Sequence, residues 1–195
     1  YDARELTADE VPGLPQMDRY LLARTRRLIA QVSAHMDAFE ISDACDEVSD
    51  FIDMLTNWYI RNTRDRFWNE DENAFNTLYT VLEAFMRVLA PLAPMEAETV
   101  WRGLTGGDSV HLGDWPYLTD PATSEDTALG RVLVEDGDLV AAMDKVREVV
   151  SATLSLRKAK KMRVRQPLAK LTVVVDEPSQ VDGYDALLKS ELNIK

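Results

Sequence analysis

Helical periodicity, repeated in four successive stretches, constrains this chain more than any other feature. Between Met17 and Phe39, the apolar residues Leu21, Leu28, Val32, Met36 and Phe39 recur at helical spacing. A second stripe, Val48, Phe51, Leu55, Trp58, Tyr59 and Asn62, predicts a helix reaching about Trp68, with Ser42 as its N-cap. Phe75, Leu78, Leu82, Phe85 and Leu89 mark a third helix, which Pro91 and Pro94 interrupt. Met95 to Leu104 is a fourth, stopped by Gly106-Gly107. Each stripe must be buried against another, and the short polar connections make neighbours antiparallel, so residues 1–120 are expected to form an antiparallel helix bundle. Residues 1–16, with Pro12, Gly13 and Pro15, read as an entry linker, and Ser109 to Leu112 reads as extended. Trp115-Pro116 is expected to plug the bundle end; stacking of Trp115 on RNA is the alternative.

A second unit is expected over residues 121–195. A long helix fills Glu125 to Lys161, with Leu129, Val132, Leu139, Met143, Val146, Val150 and Leu154 as its stripe. Gly130 and Gly137 are positioned to break its first half. Met162 to Arg165 alternates like a strand, placing Arg163 and Arg165 on one face. Leu171 to Val175 reads as another strand, Glu177-Pro178 as a turn, and Tyr184 to Leu192 as a short helix. The whole is mainly α, a bundle followed by a small α+β unit.

The bundle's second helix carries an unusual surface. Asn57, Arg61, Arg64 and Trp68 line up opposite its apolar face. Arginines ending in an indole suit a phosphate backbone and a stacked base. The same pattern also suits a solvated face whose arginines pair with nearby acids. Arg66 lies beside the core stripe and is expected to reach a buried carboxylate or the bundle's edge. Trp58 and Tyr59 are expected in the core.

Net charge is −12 over 195 residues, which argues against a general nucleic-acid binder. The basic residues are not spread evenly. Arg157, Lys158, Lys160, Lys161, Arg163, Arg165 and Lys170 follow one another with no intervening acid; without these seven, the remainder carries −19. An acidic body with one basic segment points to a directed polyanion contact. Arg157, Lys160 and Lys161 are expected to share a helical face. The competing account is a helix C-terminus neutralised by its own lysines, followed by arginines paired with acids of the bundle.

Chemistry of other kinds finds no footing. The sole cysteine, Cys45, excludes a disulfide framework and reads as a buried small hydrophobe. His35 and His111 sit in no ligand motif, and there is no glycine-rich phosphate loop. No metal site and no catalytic constellation is expected, nor a membrane span, and the chain reads as a cytoplasmic monomer. It begins at Tyr1 and stops at Asn193-Ile194-Lys195 as an extended run starts, and so reads as a piece of something larger.

Six phrases stand out along the chain: Asp18-Arg19-Tyr20-Leu21-Leu22, Asn57-Trp58-Tyr59-Ile60-Arg61 with Arg64, Arg66, Phe67 and Trp68, and Leu89 to Pro94. Ser109 to Pro116, Val164-Arg165-Gln166-Pro167-Leu168 and Glu191 to Lys195 complete the set. In this order they resemble the C-terminal part of isoleucyl-tRNA synthetases, class I aminoacyl-tRNA synthetases. The chain departs from the pattern at Asn62 and Asp65. The resemblance implies a helical anticodon-binding domain followed by the start of a junction domain, with tRNA bearing an isoleucine anticodon as partner and no DNA. The parent enzyme would join isoleucine to its tRNA using ATP and magnesium. Its His-x-Gly-His and Lys-Met-Ser-Lys-Ser signatures are absent here, so catalysis and any zinc site would lie outside this segment. RNA contact would fall to Arg61, Arg64, Trp68, Arg157, Lys158, Lys160, Lys161, Arg163 and Arg165. Two other readings stand beside it: a helical protein-interaction module without RNA, and the equivalent domain of valyl-tRNA synthetase.

Overall fold

The computed structural model describes residues 2–175 and 181–195, so the expected turn at Glu177-Pro178 lies outside the described residues. The chain divides into two compact units, Tyr1–Glu135 and Asp136–Lys195.

In the first unit, α1 spans Gln16–Asp37. One long helical run follows, made of α2 (Ile41–Asp53), a π-helical segment (Met54–Ile60) and α3 (Arg61–Trp68). Then come α4 (Glu72–Leu89), α5 (Pro94–Thr105) and the short α6 (Ala128–Val132). Helix α1 packs on α2 and α4, and α4 also packs on α5 and α3. The stripe expected from the sequence is in the core, with Val48, Phe51, Leu55, Trp58 and Tyr59 all buried. Phe51 meets Phe85 with ring centroids 5.1 Å apart, and Phe67 meets Phe75 edge-on at 5.3 Å.

The π-helical segment corrects the helical wheel. A π turn holds more residues than an α turn, so the buried face advances by one position across it. Thr63 is buried where the wheel places Asn62, which is half-buried with its amide donating to the Trp58 carbonyl at 2.8 Å. Helix α4 is rotated too: Ala74, Thr77, Val81, Ala84, Phe85 and Val88 are buried, whereas Phe75, Leu78, Leu82 and Leu89 are half-buried. As the element packed on α1 and α5 alike, α4 needs small side chains where backbones approach, and its larger ones fill the flanks.

Local corrections follow the same logic of where polar groups find partners. The entry segment is part of the fold: Leu6, Val11 and Leu14 are buried, and the Leu6 amide donates to Thr80 Oγ1 at 2.9 Å. Ser42 is not a cap, because α2 starts at Ile41 after Glu40. Cys45 is exposed. Val110–Leu112 is a 3-10 turn rather than an extended run, since Glu98 Oε2 accepts from Ser109 Oγ and from the Val110 amide. Trp115 is half-buried and donates its indole N–H to Ser33 Oγ at 3.0 Å, which gives it a packing role. Gly106 ends α5 at φ 66°, a conformation that suits glycine. Gly130 lies inside α6 rather than breaking a helix, and a Cβ there would fall 1.9 Å from the Leu118 carbonyl oxygen.

In the second unit, α7 (Gly137–Ala159) packs on α8 (Asp185–Leu192). Gly137 therefore opens α7. Leu139, Met143, Val146 and Val150 are buried along α7, as are Leu188 and Leu192 on α8. The expected strands do not form a ladder among the described residues: Val164 and Arg165 lie in a turn closed by the Gln166 amide on the Arg163 carbonyl at 3.0 Å, and pairing in this unit is limited to a parallel bridge between Leu168 and Ile194. Leu171 to Val175 alternates half-buried and exposed, as a strand would, without a paired neighbour among the described residues. No helix of the described residues is long and apolar enough to cross a membrane.

Candidate nucleic-acid interface

One face of α3 is built from beneath by a buried polar network. Asp18, fully buried on α1, accepts from Tyr59 Oη at 2.9 Å and from Arg66 Nη1 and Nη2 at 2.8 and 2.7 Å. Arg66 Nε donates to Asp71 Oδ2 at 2.8 Å, and Asp71 Oδ1 in turn caps α4 by accepting from the Ala74 amide. One guanidinium thus ties the last turn of α3 to α1 and to the start of α4, as expected for an arginine beside the core stripe. Asp18 is the part sequence reasoning missed; its place three and four residues before Leu21 and Leu22 on the inner face of α1 was the available signal. Burial, with the Asp18 charge beside it, pushes the Tyr59 phenol up. Hydrogen bonding to Asp18 and Asp71 raises the Arg66 guanidinium, and the same bond to Arg66 lowers the Asp71 carboxyl.

With Arg66 turned inward, α3 shows Arg61, Arg64 and Trp68 outward, all exposed. Trp68 is 75% exposed, an unusual position for an indole. Arg64 makes no hydrogen bond or ion pair with any described residue. Asn57 is exposed as well, but its amide is held by Asp53 Oδ1 at 2.7 Å. Trp58 and Tyr59, from the same phrase, are in the core.

The basic segment of the second unit separates into two kinds of residue. Lys158, Lys160, Lys161, Arg163 and Arg165 are exposed and form no ion pair with an acid among the described residues. Arg157 departs from the expectation: it is buried, with Nη1 donating to the Leu192 carbonyl at 3.0 Å. Its Nη2 donates to the carbonyls of Arg163 at 2.7 Å and Val164 at 2.9 Å, and to that of Gln166. The signal was legible: position 157 continues the buried series Val146, Val150, Thr153 at helical spacing. Lys161 takes a left-handed conformation at φ 54°, and the Met162 amide closes back on the Arg157 carbonyl at 2.8 Å, which ends α7.

The α1–α2 corner holds a grouping that sequence spacing conceals. His35, Glu40 and Asp43 bring their donor atoms within 4.8 Å of one another from either side of the turn. His35 Nδ1 lies 2.9 Å from Glu40 Oε2, and that hydrogen bond raises the imidazole pKa.

Helices in this order make a helical bundle domain whose third helix presents an exposed arginine–indole face. The chain belongs to the family described as the anticodon-binding domain of tRNA ligase, whose profile matches residues 18–174. Within that family its similarity is to isoleucine–tRNA ligases. It is 74% identical, over all of its 195 residues, to the isoleucine–tRNA ligase of Bifidobacterium longum. It is 46% identical to that of Leifsonia xyli over 100% of its length, and 48% identical to that of Mycobacterium tuberculosis over 95%. The chain spans only 16% to 18% of the length of these curated relatives. The valyl alternative is not favoured by these matches.

Proposed function

We propose that this chain is the anticodon-arm-binding segment of an isoleucine–tRNA ligase, and that its partner is tRNA with an isoleucine anticodon. The observation that carries the reading is Arg64: exposed, unpaired among the described residues, and one helical turn from the exposed Trp68 on the face opposite the core. Arg61 and Arg64 would neutralise phosphates while Trp68 stacks on an unpaired base of the loop. Lys158, Lys160, Lys161, Arg163 and Arg165 would add sequence-independent backbone contact. Outside these two patches the acidic surface repels RNA, which restricts the orientations in which it can bind. Residues 1–120 would act as an anticodon-binding bundle and residues 121–195 as the start of a small α+β junction unit, the compact units themselves meeting later in the chain, at Glu135 and Asp136. The alternating burial of Leu171 to Val175 supports the second assignment.

The longer protein would attach isoleucine to its tRNA in the cytoplasm, as a monomer, at the expense of ATP with magnesium. Catalytic residues would lie outside this segment, whose task is to place the anticodon arm so that the acceptor end reaches the distant site. Replacing Arg64 by alanine should weaken tRNA binding and reduce the salt dependence by about one phosphate contact, with thermal stability unchanged. Retained affinity in a folded Arg64→Ala protein would refute the reading.

A further inference from the structure

Residues 163–168 carry two of the exposed cations, yet almost nothing apolar holds them in place. Val164 is half exposed, Arg163, Arg165, Gln166 and Pro167 are exposed, and only Leu168 is partly covered. What shapes the segment is hydrogen bonding to its carbonyls. Those of residues 163, 164 and 166 accept from the Arg157 guanidinium. The Arg165 carbonyl accepts from Asn193 Nδ2 at 2.8 Å, with that of Val164 in longer contact at 3.5 Å. Four consecutive carbonyls therefore converge on two side chains. Asn193 sits just past the end of α8 in a left-handed conformation, φ 49°, and its own carbonyl accepts from the Leu168 amide at 3.0 Å.

We propose that Arg157 and Asn193 are positioning residues for the polyanion contact: they hold the 163–168 backbone so that its arginines stand with Lys158, Lys160 and Lys161 as one preformed cationic surface. This rests on the reading of that segment as a tRNA-backbone contact. A buried charge needs strong compensation, and four carbonyls supply it. Arginine is suited where lysine is not, because the planar fork reaches the Leu192 carbonyl together with those of residues 163, 164 and 166, while an ammonium serves one point. Its Nε remains buried without a partner among the described residues, so the charge is held for its reach rather than for complete satisfaction. A flexible loop of the same sequence would have the same charge, but would lose ordering entropy on each binding event.

The test compares Arg157→Lys, Asn193→Gly and the triple variant Lys158→Gln/Lys160→Gln/Lys161→Gln. Each is titrated with tRNA bearing an isoleucine anticodon across a salt series, and amide exchange of residues 163–170 is followed in parallel. Glycine tolerates the left-handed conformation, so Asn193→Gly removes the side-chain hydrogen bonds to the Arg165 and Val164 carbonyls while leaving the turn intact. Arg157→Lys is expected to weaken binding about tenfold and Asn193→Gly about threefold, as preorganisation is lost. In both, the salt slope should stay unchanged and exchange over 163–170 should accelerate. The triple variant should instead reduce the slope by up to about three contacts. Faster exchange with unchanged affinity in Asn193→Gly overturns the positioning role. Unchanged low-salt affinity in the triple variant overturns the contact itself, whatever the other two show. If Arg157→Lys unfolds the unit, Asn193→Gly alone decides.

Discussion

Removing Arg66 is a severe single perturbation of the bundle outside its apolar core. Arg66→Ala deletes the two bonds to Asp18 and the one to Asp71, leaving a fully buried carboxylate whose one remaining side-chain partner among the described residues is the Tyr59 hydroxyl. Breaking a buried pair from one side costs about 3–5 kcal/mol, because the remaining charge is stranded. The Arg66 side chain is 24% exposed, so water can reach part of the gap and the lower half of that range applies. Release of Asp71 loosens the α4 cap and adds up to about 1 kcal/mol. Against a domain stability of about 5–15 kcal/mol the total is a substantial fraction. Urea unfolding at neutral pH, followed by tryptophan fluorescence, measures it. Adding Asp18→Asn removes the stranded charge but keeps an acceptor for Tyr59, so Arg66→Ala/Asp18→Asn should be more stable than Arg66→Ala alone. A loss under about 1 kcal/mol for Arg66→Ala, or a double variant less stable than the single, would refute the account.

Trp58→Ala should destabilise the bundle by about 3–5 kcal/mol, read by the same unfolding assay, and a stable Trp58→Ala protein with a selective tRNA defect would reverse its assignment to the core. Gly130→Ala should lower stability by about 1–3 kcal/mol, seen as a lower melting temperature, because the added Cβ meets the Leu118 carbonyl and the gain in helix propensity of about 1 kcal/mol is smaller. Hydrogen bonding to Arg4 holds the Glu10 carboxyl at about 2, below its ordinary 4.5. A carboxyl lowered on folding stabilises the fold above its unfolded pKa, and that contribution fades as pH falls toward about 2. The stability difference between the parent and Glu10→Gln should therefore shrink across that acid range, and a difference that persists below it would contradict the assignment.

Helix content and the bundle were legible because burial of a periodic apolar stripe is a local constraint, readable from spacing alone. Arg66's inward turn was legible for the same reason, since its position relative to Leu55 and Tyr59 follows from the helix. So was the exposure of Arg61, Arg64 and Trp68, which share an α-helical stretch after the irregular segment. The π turn itself was not, and it moved burial from Asn62 to Thr63, because its extra residue per turn is stabilised by packing on other helices. Cys45 shows the same limit: its exposure depends on which side of α2 faces its neighbours. Arg157 marks the boundary most sharply. Composition counts it with its basic neighbours, since charge is additive along a chain. Only the folded chain brings the carbonyls of residues 163, 164, 166 and 192 around it, and those convert a surface cation into the buried support of the cations beside it.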